Sequence, residues 1–265
     1  MIRLIASDID GTLLPEGASQ LDPVYFDRIF RLKRCGIRFA AASGRQYTNL
    51  RRLFAPVADE IDYICENGAL VVSGGAVLSK TVIERSLAQT LLRRLLDTPG
   101  CEPLASGVYT GYIQPKDPAY ARHLKEQVKN DVIVVEDLLC VPEDLLKIAA
   151  YFKSGVTPEI QEAMNRVAAP EMRAVASGLP WLDFLQSSCN KGTALRTLQA
   201  QFGIKREETM AFGDNENDIE LLEQAGIGCA MAGGHPKLRG LGCRIVTNAA
   251  EEITRLLEEV ERCCS

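Results

Sequence analysis

The sequence predicts an α/β protein with a parallel-sheet core and an inserted α+β domain. Three observations lead to this prediction. Apolar runs of strand length alternate with segments of helical period at the start of the chain, the alternation is lost between Thr81 and Leu185, and it returns from Asn190. Strand–helix–strand connections of this kind form parallel sheets with right-handed crossovers. We therefore expect the two outer segments of the chain to form one domain.

The first outer segment carries three buried strands separated by two helices. The strands are predicted at Ile2–Ala6, Ile37–Ala42 and Ile61–Cys65. Each is a short apolar run bounded by turn residues, which is the pattern of a buried strand. Helices are predicted from Pro23 to Arg34, ended by Gly36, and from Gln46 to Phe54. The run Ser73-Gly74-Gly75 then indicates a hairpin.

The middle segment shows no run of strand–helix repeats. Helices are predicted at Leu87–Leu96, Ala119–Val128 and Pro158–Val167. Strands are predicted at Gly107–Gln114, Met172–Ala176 and Trp181–Leu185. Asp131–Glu136 is predicted as a strand or an exposed edge, and Leu145–Phe152 fits a strand or a helix equally well.

The second outer segment restores the alternation. Helices are predicted at Thr193–Phe202, Ile219–Gln224 and Ala250–Arg262, and strands at Thr209–Phe212, Gly226–Ala230 and Arg244–Val246. We assign residues 1–81 and 187–265 to the core domain and residues 82–186 to the inserted domain.

Composition is that of an ordinary globular protein. The 265 residues are 46% hydrophobic and 25% charged, and the formal net charge is -5. With this net charge the protein has no overall positive electrostatic field that would favour binding to nucleic acid. An anionic substrate would therefore have to be met by local cations, helix N-termini or a metal.

The cysteines are scattered along the chain and form no Cys-x-x-Cys pair. They number nine: Cys35, Cys65, Cys101, Cys140, Cys189, Cys229, Cys243, Cys263 and Cys264. This pattern argues against a disulfide framework or a zinc site and favours a reducing compartment. The apolar segment at the start of the chain ends at Asp8 and is too short for the apolar core of a signal peptide. No apolar run in the sequence is long enough for a transmembrane helix. We expect a cytoplasmic protein with no membrane partner.

Two carboxylates, Asp8 and Asp10, follow the first predicted strand, and Gly11 lets the chain turn. Ligands of open α/β sheets bind outside the carboxyl ends of the strands. Two carboxylates crowded there repel each other unless a cation or a proton lies between them. This stretch alone indicates a metal site, a shared proton, both, or only a polar turn with solvated aspartates.

Three further elements place polar groups at strand ends or helix starts. Ser43-Gly44-Arg45 offers a hydroxyl and backbone N–H groups suited to a phosphate. Lys191 is a cation at a helix start, where the helix dipole disfavours it unless an anion is present. The run from Asp214 to Asp218 holds three carboxylates and two amides.

Together these groups have the chemistry for phosphoryl transfer. Asp8 and Asp214 supply the hard oxygen ligands that Mg²⁺ prefers. A carboxylate can attack phosphorus and form an aspartyl-phosphate. Lys191 and Ser43 would offset the charge of the transferring group. Asp10 is placed to protonate the leaving oxygen and then to deprotonate the attacking water.

This pattern resembles the haloacid dehalogenase-like phosphohydrolases, whose four motifs can all be identified in order. They are Asp8-Ile9-Asp10-Gly11-Thr12, Ser43-Gly44-Arg45, Lys191-Gly192 and Gly213-Asp214-Asn215-Glu216-Asn217-Asp218. A cap inserted between the second and third motifs, followed by Asn190-Lys191-Gly192-Thr193, is similar to the Cof-type sugar-phosphate phosphatases. The resemblance implies a Rossmann-like core, a cap that sets substrate specificity, and Mg²⁺ as the cofactor.

The resemblance also implies a role for each motif residue. Asp8 is the nucleophile and Asp10 the general acid and base. The metal is held by Asp8, Asp214 and the backbone carbonyl of Asp10. Phosphate is held by Thr12, Ser43, Gly44, Lys191 and Asn217. Asp218, which orients Lys191 or a metal-bound water, and Arg45 are supporting residues.

Local explanations remain for several of these residues. Ser43 also fits a plain helix cap. Arg45 fits a phosphate contact or a surface salt bridge, Asn67-Gly68 fits a simple turn, and Asp218 fits a first-turn acid favoured by the helix dipole. His123 and His235 match no motif.

The sequence therefore predicts a Mg²⁺-dependent phosphatase acting on small phosphorylated metabolites such as sugar phosphates, as a monomer or a homodimer. Two alternatives stay open at this point. One is a phosphotransferase or phosphomutase with the same nucleophile. The other is a non-enzymatic protein that binds a phosphorylated metabolite.

Overall fold

The computed structural model describes residues 1–167, 170–177 and 180–264. The chain divides into two compact units. The first comprises Met1–Arg45, Leu50–Ser79 and Asn190–Ser265, and the second comprises Gln46–Asn49 and Lys80–Cys189. The predicted class, α/β with a parallel-sheet core, is confirmed.

The first unit is built on an eight-stranded sheet with the order β14-β13-β12-β1-β2-β3-β4-β5. Its strands are β1 (Leu4–Ser7), β2 (Arg38–Ala42), β3 (Asp62–Cys65), β4 (Leu70–Ser73), β5 (Ala76–Lys80), β12 (Thr209–Gly213), β13 (Ile227–Met231) and β14 (Arg244–Val246). The pairing is parallel from β14 to β3 and turns antiparallel between β3 and β4. β1 lies centrally, with Leu4 opposite Arg38 on one side and Thr209 on the other. The sheet therefore joins strands from both outer segments of the chain.

Helices cover this sheet. They are α1 (Val24–Arg34), α6 (Lys191–Phe202), α7 (Ile219–Glu223) and α8 (Ala249–Cys264), while α2 (Tyr47–Leu53) begins in the Gln46–Asn49 stretch of the second unit and ends in the first. Alternate strand residues such as Leu4 and Ala40 share a buried cluster with Leu195 and Leu198 of α6. The strands are therefore nearly continuous apolar runs, as expected for a sheet covered on both faces.

The second unit has a six-stranded sheet with the order β10-β11-β9-β6-β7-β8. Its strands are β6 (Cys101–Ser106), β7 (Gly111–Ile113), β8 (Val132–Val134), β9 (Lys147–Phe152), β10 (Met172–Ala176) and β11 (Trp181–Gln186). Its helices are α3 (Arg85–Asp97), α4 (Pro118–His123), which continues as a π-helical turn over Leu124–Val128, and α5 (Pro158–Val167). One face of the sheet packs on α3 through a buried cluster that includes Leu91, Leu95 and Phe184.

Two predictions in the middle segment were wrong or incomplete. The predicted strand Gly107–Gln114 is a strand only over Gly111–Ile113, because the Gly107 N–H donates to the Thr110 carbonyl and closes a turn. Strand β6, directly before that turn, was not predicted. The ambiguous stretch Leu145–Phe152 is a strand, β9, and Asp131–Glu136 contains the edge strand β8.

The seven cysteines from Cys35 to Cys243 are free thiols, and the side chains of Cys263 and Cys264 lie outside the described part of the structure. Among the described residues, every helix is too short or too polar to cross a bilayer.

Candidate active site

Asp8 lies directly after the central strand β1 and is almost fully buried. Its N–H donates to the Phe212 carbonyl at 3.0 Å, which continues the pairing of β1 with β12. The chain then turns at Gly11, with φ +91°. A Cβ on Gly11 would lie 2.2 Å from Oδ2 of Asp214, so only glycine lets Asp214 approach.

Lys191 is the buried cation of the site. It is the first residue of α6, whose start is capped by the Asn190 side chain. Its ammonium, which has no exposed surface, lies 2.6 Å from Oδ1 of Asp8 and 2.6 Å from Oδ1 of Asp218. Burial alone lowers the pKa of Lys191, but the charges of Asp218 and Asp8 outweigh it and raise that pKa overall. The ammonium therefore stays charged between two carboxylates.

Asp218 organises the loop that follows β12. Its Oδ2 accepts the N–H groups of Asp214 and Asn215, both at 3.0 Å, while its Oδ1 binds Lys191. A Cβ on Gly213 would lie 2.5 Å from the Cβ of Asp218, so glycine permits this tight turn. Of the two contacts predicted for Asp218, the structure contains the one with Lys191.

The acidic cluster has the composition of a magnesium site. Ligand atoms of Asp8, Asp214 and Asp218 all lie within 4.8 Å of one another. Both oxygens of Asp218 are already engaged. Oδ2 of Asp8, in contrast, is buried and has no hydrogen-bond partner in the described part of the chain. The donor set of Asp8 and Asp214 therefore fits a hard divalent cation.

Electrostatics also favour a cation here. Burial, then the charge of Asp218, holds the pKa of Asp8 well above its ordinary value of 3.8, against the opposing charge of Lys191. Burial and Asp218 likewise raise the pKa of Asp214. Taking carboxylates out of water beside like charges disfavours their ionised forms, and a bound cation would restore them.

Asp10 and Thr12 face different partners from Asp8. The Asp10 carboxylate is about half exposed and forms a bidentate ion pair with Arg45, Nε–Oδ2 2.8 Å and Nη2–Oδ1 2.5 Å. The Thr12 hydroxyl donates to Oδ1 of Asp214 at 3.3 Å. Of the two contacts considered for Arg45, a salt bridge and a phosphate contact, the structure contains a salt bridge, with Asp10. The phosphate contact of Thr12 stays a prediction.

Ser43 follows β2 and is buried. Its N–H donates to the Ile64 carbonyl at 2.9 Å, and its hydroxyl oxygen accepts the Arg45 N–H at 3.2 Å. A Cβ on Gly44 would lie 3.1 Å from the Asn67 amide group. The serine therefore caps the turn, and its contact with phosphate stays a prediction.

Asn67 is a site residue to which the sequence assigned no role. Three consecutive residues after β3, Glu66, Asn67 and Gly68, have positive φ values of 49°, 54° and 101°. The Asn67 side-chain carbonyl accepts the amide of Asn217 at 3.0 Å, and its N–H donates to the Ser43 carbonyl at 3.0 Å. The only sequence signal was the Asn67-Gly68 dipeptide, typical of a left-handed turn.

His235, which matched no motif, also contacts the site through its backbone. Its N–H donates to the Asp214 carbonyl at 2.6 Å, and a Cβ on the preceding Gly234 would lie 2.6 Å from the same oxygen. The loop after β13 thus packs closely on the loop that carries Asp214.

Comparisons with known proteins agree with this geometry. A family model described as haloacid dehalogenase-like hydrolase matches residues 5–253. The 5-amino-6-(5-phospho-D-ribitylamino)uracil phosphatase of Escherichia coli is 29% identical over 98% of this chain and 96% of its own. The HMP-PP phosphatase of Cronobacter sakazakii is 29% identical over 90% and 87%. A crystal structure from Eubacterium rectale, 28% identical, superposes with a TM-score of 0.81 over 98% of both chains.

Proposed function

The chain belongs to the haloacid dehalogenase-like hydrolases, and we propose that it is a Mg²⁺-dependent phosphatase of small phosphorylated metabolites that works through an aspartyl-phosphate on Asp8. One observation carries the mechanism. The buried Asp8 carboxylate has one oxygen on the Lys191 ammonium and the other without a hydrogen-bond partner in the described structure, beside Asp214.

In the proposed reaction, a carboxylate oxygen of Asp8 bonds to phosphorus as the ester P–O bond breaks. Asp10 donates a proton to the leaving oxygen, which departs as an alcohol. Asp10 then takes a proton from water, whose oxygen attacks phosphorus and displaces the Asp8 carboxylate. The products are the alcohol and inorganic phosphate, and both aspartates return to their starting states.

The remaining residues hold the phosphoryl group. Lys191 has three N–H donors, two of which point at Asp8 and Asp218, so one remains for a phosphoryl oxygen. Ser43, Gly44, Asn217 and Thr12 are assigned to the other oxygens. Mg²⁺, when held by Asp8, Asp214 and the Asp10 carbonyl, would offset the repulsion between these carboxylates and the phosphate.

We assign substrate choice to the second unit, residues 82–186 in the predicted division. The E. coli relative is named for a substrate with a phosphorylated ribityl chain. Sugar and sugar-alcohol phosphates are therefore the substrates that we propose first. The predicted cytoplasmic location stays a prediction.

The proposal is tested with a panel of phosphate esters. Phosphate release is measured for sugar phosphates, sugar-alcohol phosphates and 5-amino-6-(5-phospho-D-ribitylamino)uracil, with Mg²⁺ and with EDTA. We expect release only with Mg²⁺. A phosphotransferase would instead pass the group to an added sugar acceptor, and a binding protein would release none with any ester.

Replacing Asp8 by asparagine tests the nucleophile. We expect Asp8→Asn to lower kcat/KM by at least about a thousandfold, because an amide does not form the acyl phosphate. Asp59→Asn removes a carboxylate that is 84% exposed and should change nothing. Circular dichroism and thermal unfolding verify that both variants fold. Activity of Asp8→Asn near that of the wild type would refute the mechanism.

A further inference from the structure

Strand β8 is the last strand of the six-stranded sheet, and its free edge is apolar. No described strand lies beyond it. Ile133 and Val134 are 49% and 53% exposed, although they are consecutive large aliphatic residues. An exposed aliphatic edge strand is a template for pairing with another strand, and proteins usually protect such edges with charge, proline or a covering segment.

The hydrogen bonds on the inner side of β8 show which groups point outward. The Gly111 N–H donates to the Asp131 carbonyl, and the Val135 N–H donates to the Ile113 carbonyl at 2.9 Å. In a parallel pair of strands, every second residue of a strand hydrogen-bonds to the neighbouring strand, and the residues between direct their N–H and C=O groups to the opposite side. The backbone groups of Asp131, Ile133 and Val135 therefore point toward β7, and those of Val132 and Val134 point outward.

This alternation restricts how β8 can pair with a second copy of itself. In an antiparallel pair, two residues with outward groups must face each other as a hydrogen-bonded pair. Val132 facing Val134 of the partner subunit, with Ile133 facing its own copy, meets this condition. A shift of one residue places an outward group opposite an inward one, and the hydrogen bonds are lost.

Charge selects among the registers that alternation allows. With Ile133 at the centre, Asp131 faces Val135 of the partner subunit, so no like charges meet beside the strand. If Val134 faced its own copy, Asp131 would face Asp137 and like charges would repel. If Val132 faced its own copy, the charged Asp131 would face the apolar Ile133 of the partner subunit.

We propose that the chain forms a two-fold symmetric dimer by antiparallel pairing of β8 with β8 of a second copy, with Ile133 on the axis. The interface is isologous, since the same strand serves both copies. It joins the two six-stranded sheets into one continuous sheet across the axis. A short strand buries little area, so the dimer is weak and depends on concentration. The inference is independent of the catalytic proposal.

Sedimentation velocity over a concentration series tests the association. We expect the wild type to shift from the 29.0 kDa of the single chain toward twice that mass as its concentration rises to about 500 µM. Val134→Lys, at an exposed position, should weaken dimerisation at least about tenfold. Val77→Lys is the control, because Val77 is also exposed and lies on β5, the edge strand of the other sheet.

Disulfide cross-linking tests the register. In a Cys140→Ser background, which removes an exposed thiol, Ile133→Cys should form a covalent dimer on mild oxidation. Directly opposed residues of a non-hydrogen-bonded pair have Cα atoms about 4.5 Å apart, within disulfide range. Val134→Cys should cross-link far less, because its neighbour across the axis is Val132. Peptide mapping identifies the linked cysteines.

Three outcomes would overturn the proposal: a wild type that stays monomeric, a Val134→Lys variant that dimerises like the wild type, or Val134→Cys cross-linking faster than Ile133→Cys. Val77→Lys abolishing dimerisation would assign the interface to β5 instead. Phosphatase activity plays no part in any readout, so a failure of the proposed function would leave this test unaffected.

Discussion

Lys191 shows how a single buried charge can serve both stability and chemistry. Its ammonium lies 2.6 Å from oxygens of Asp8 and Asp218, and all three side chains are buried. A buried cation with two anionic partners is stable only when every partner is present. When both carboxylates are ionised the trio carries a net negative charge, which favours a cation beside Asp8 and Asp214.

At the same scale, we predict that Asn67 positions Asn217. Asn67→Ala removes the acceptor of the 3.0 Å bond from the Asn217 amide and places alanine at φ 54°. We expect kcat/KM to fall about tenfold and the free energy of unfolding to fall by about 1–2 kcal/mol.

Asn67→Gly separates these two effects, because glycine adopts a positive φ without strain. It should lose activity as alanine does but keep more of the stability, as measured by phosphate release and urea unfolding. If both variants keep full activity, Asn67 has no positioning role.

At the scale of elements, glycines allow helix α6 to approach both the loop after β3 and helix α7 closely. A Cβ on Gly68 would lie 2.3 Å from the Asn190 carbonyl oxygen, and a Cβ on Gly192 would lie 2.3 Å from the Glu220 carbonyl oxygen. Both contacts are with backbone, which cannot move aside as a flexible side chain can. The position of Lys191 at the start of α6 therefore depends on residues without a side chain.

Gly68→Ala should consequently disturb both fold and site. We expect a loss of about 3 kcal/mol in the free energy of unfolding, from left-handed strain of about 1–2 kcal/mol plus overpacking of about 1–3 kcal/mol. Activity should fall as α6 shifts. Gly36→Ala is the matched control, because Gly36 has φ +72° but open space around its Cβ position. It should lose only the strain part, as measured by denaturant unfolding, and an equal loss in both variants would contradict the packing argument.

At the scale of the whole molecule, the buried carboxylates tie stability to pH and metal. The pKa values of Asp8 and Asp214 are raised in the folded state above 3.8. The folded protein therefore binds protons more tightly than the unfolded chain. Its stability without metal falls as pH rises from about 3.8 through these raised pKa values. A divalent cation should offset this loss most strongly where the carboxylates are ionised.

We therefore predict that Mg²⁺ raises the unfolding temperature more at pH 7 than at pH 5. In EDTA, Asp8→Asn should gain stability relative to the wild type as pH rises from about 3.8 through the raised pKa of Asp8, because asparagine does not titrate. Thermal unfolding of both proteins at matched ionic strength checks this. A difference between them that is independent of pH would show that the Asp8 carboxyl does not titrate in this window.

How well the sequence predicted these features depended on whether each signal was local. Asp8, Lys191 and Asp214 lie at strand ends and a helix start, so chain order and period were enough to predict that they lie close together. Strand β6 was missed because Glu102 and Pro103 interrupt its apolar pattern, and the bonds that Glu102 accepts from the Lys116 and Asp117 N–H groups exist only in the folded sheet. The partnership of Asn67 with Asn217 spans 150 positions and left no local trace.

The central place of β1 has a consequence for the protein during its synthesis. Leu4 pairs with Thr209, which leaves the ribosome 205 residues later. At about 5–20 residues per second, that delay is roughly 10–40 s. During this interval β1, which leads into Asp8, has a partner on one side only, while the second unit, which ends at Cys189, is complete before Thr209 emerges. A nascent chain would therefore complete its second unit before the cluster of Asp8, Lys191 and Asp214 assembles, with an open strand edge that a chaperone could shield.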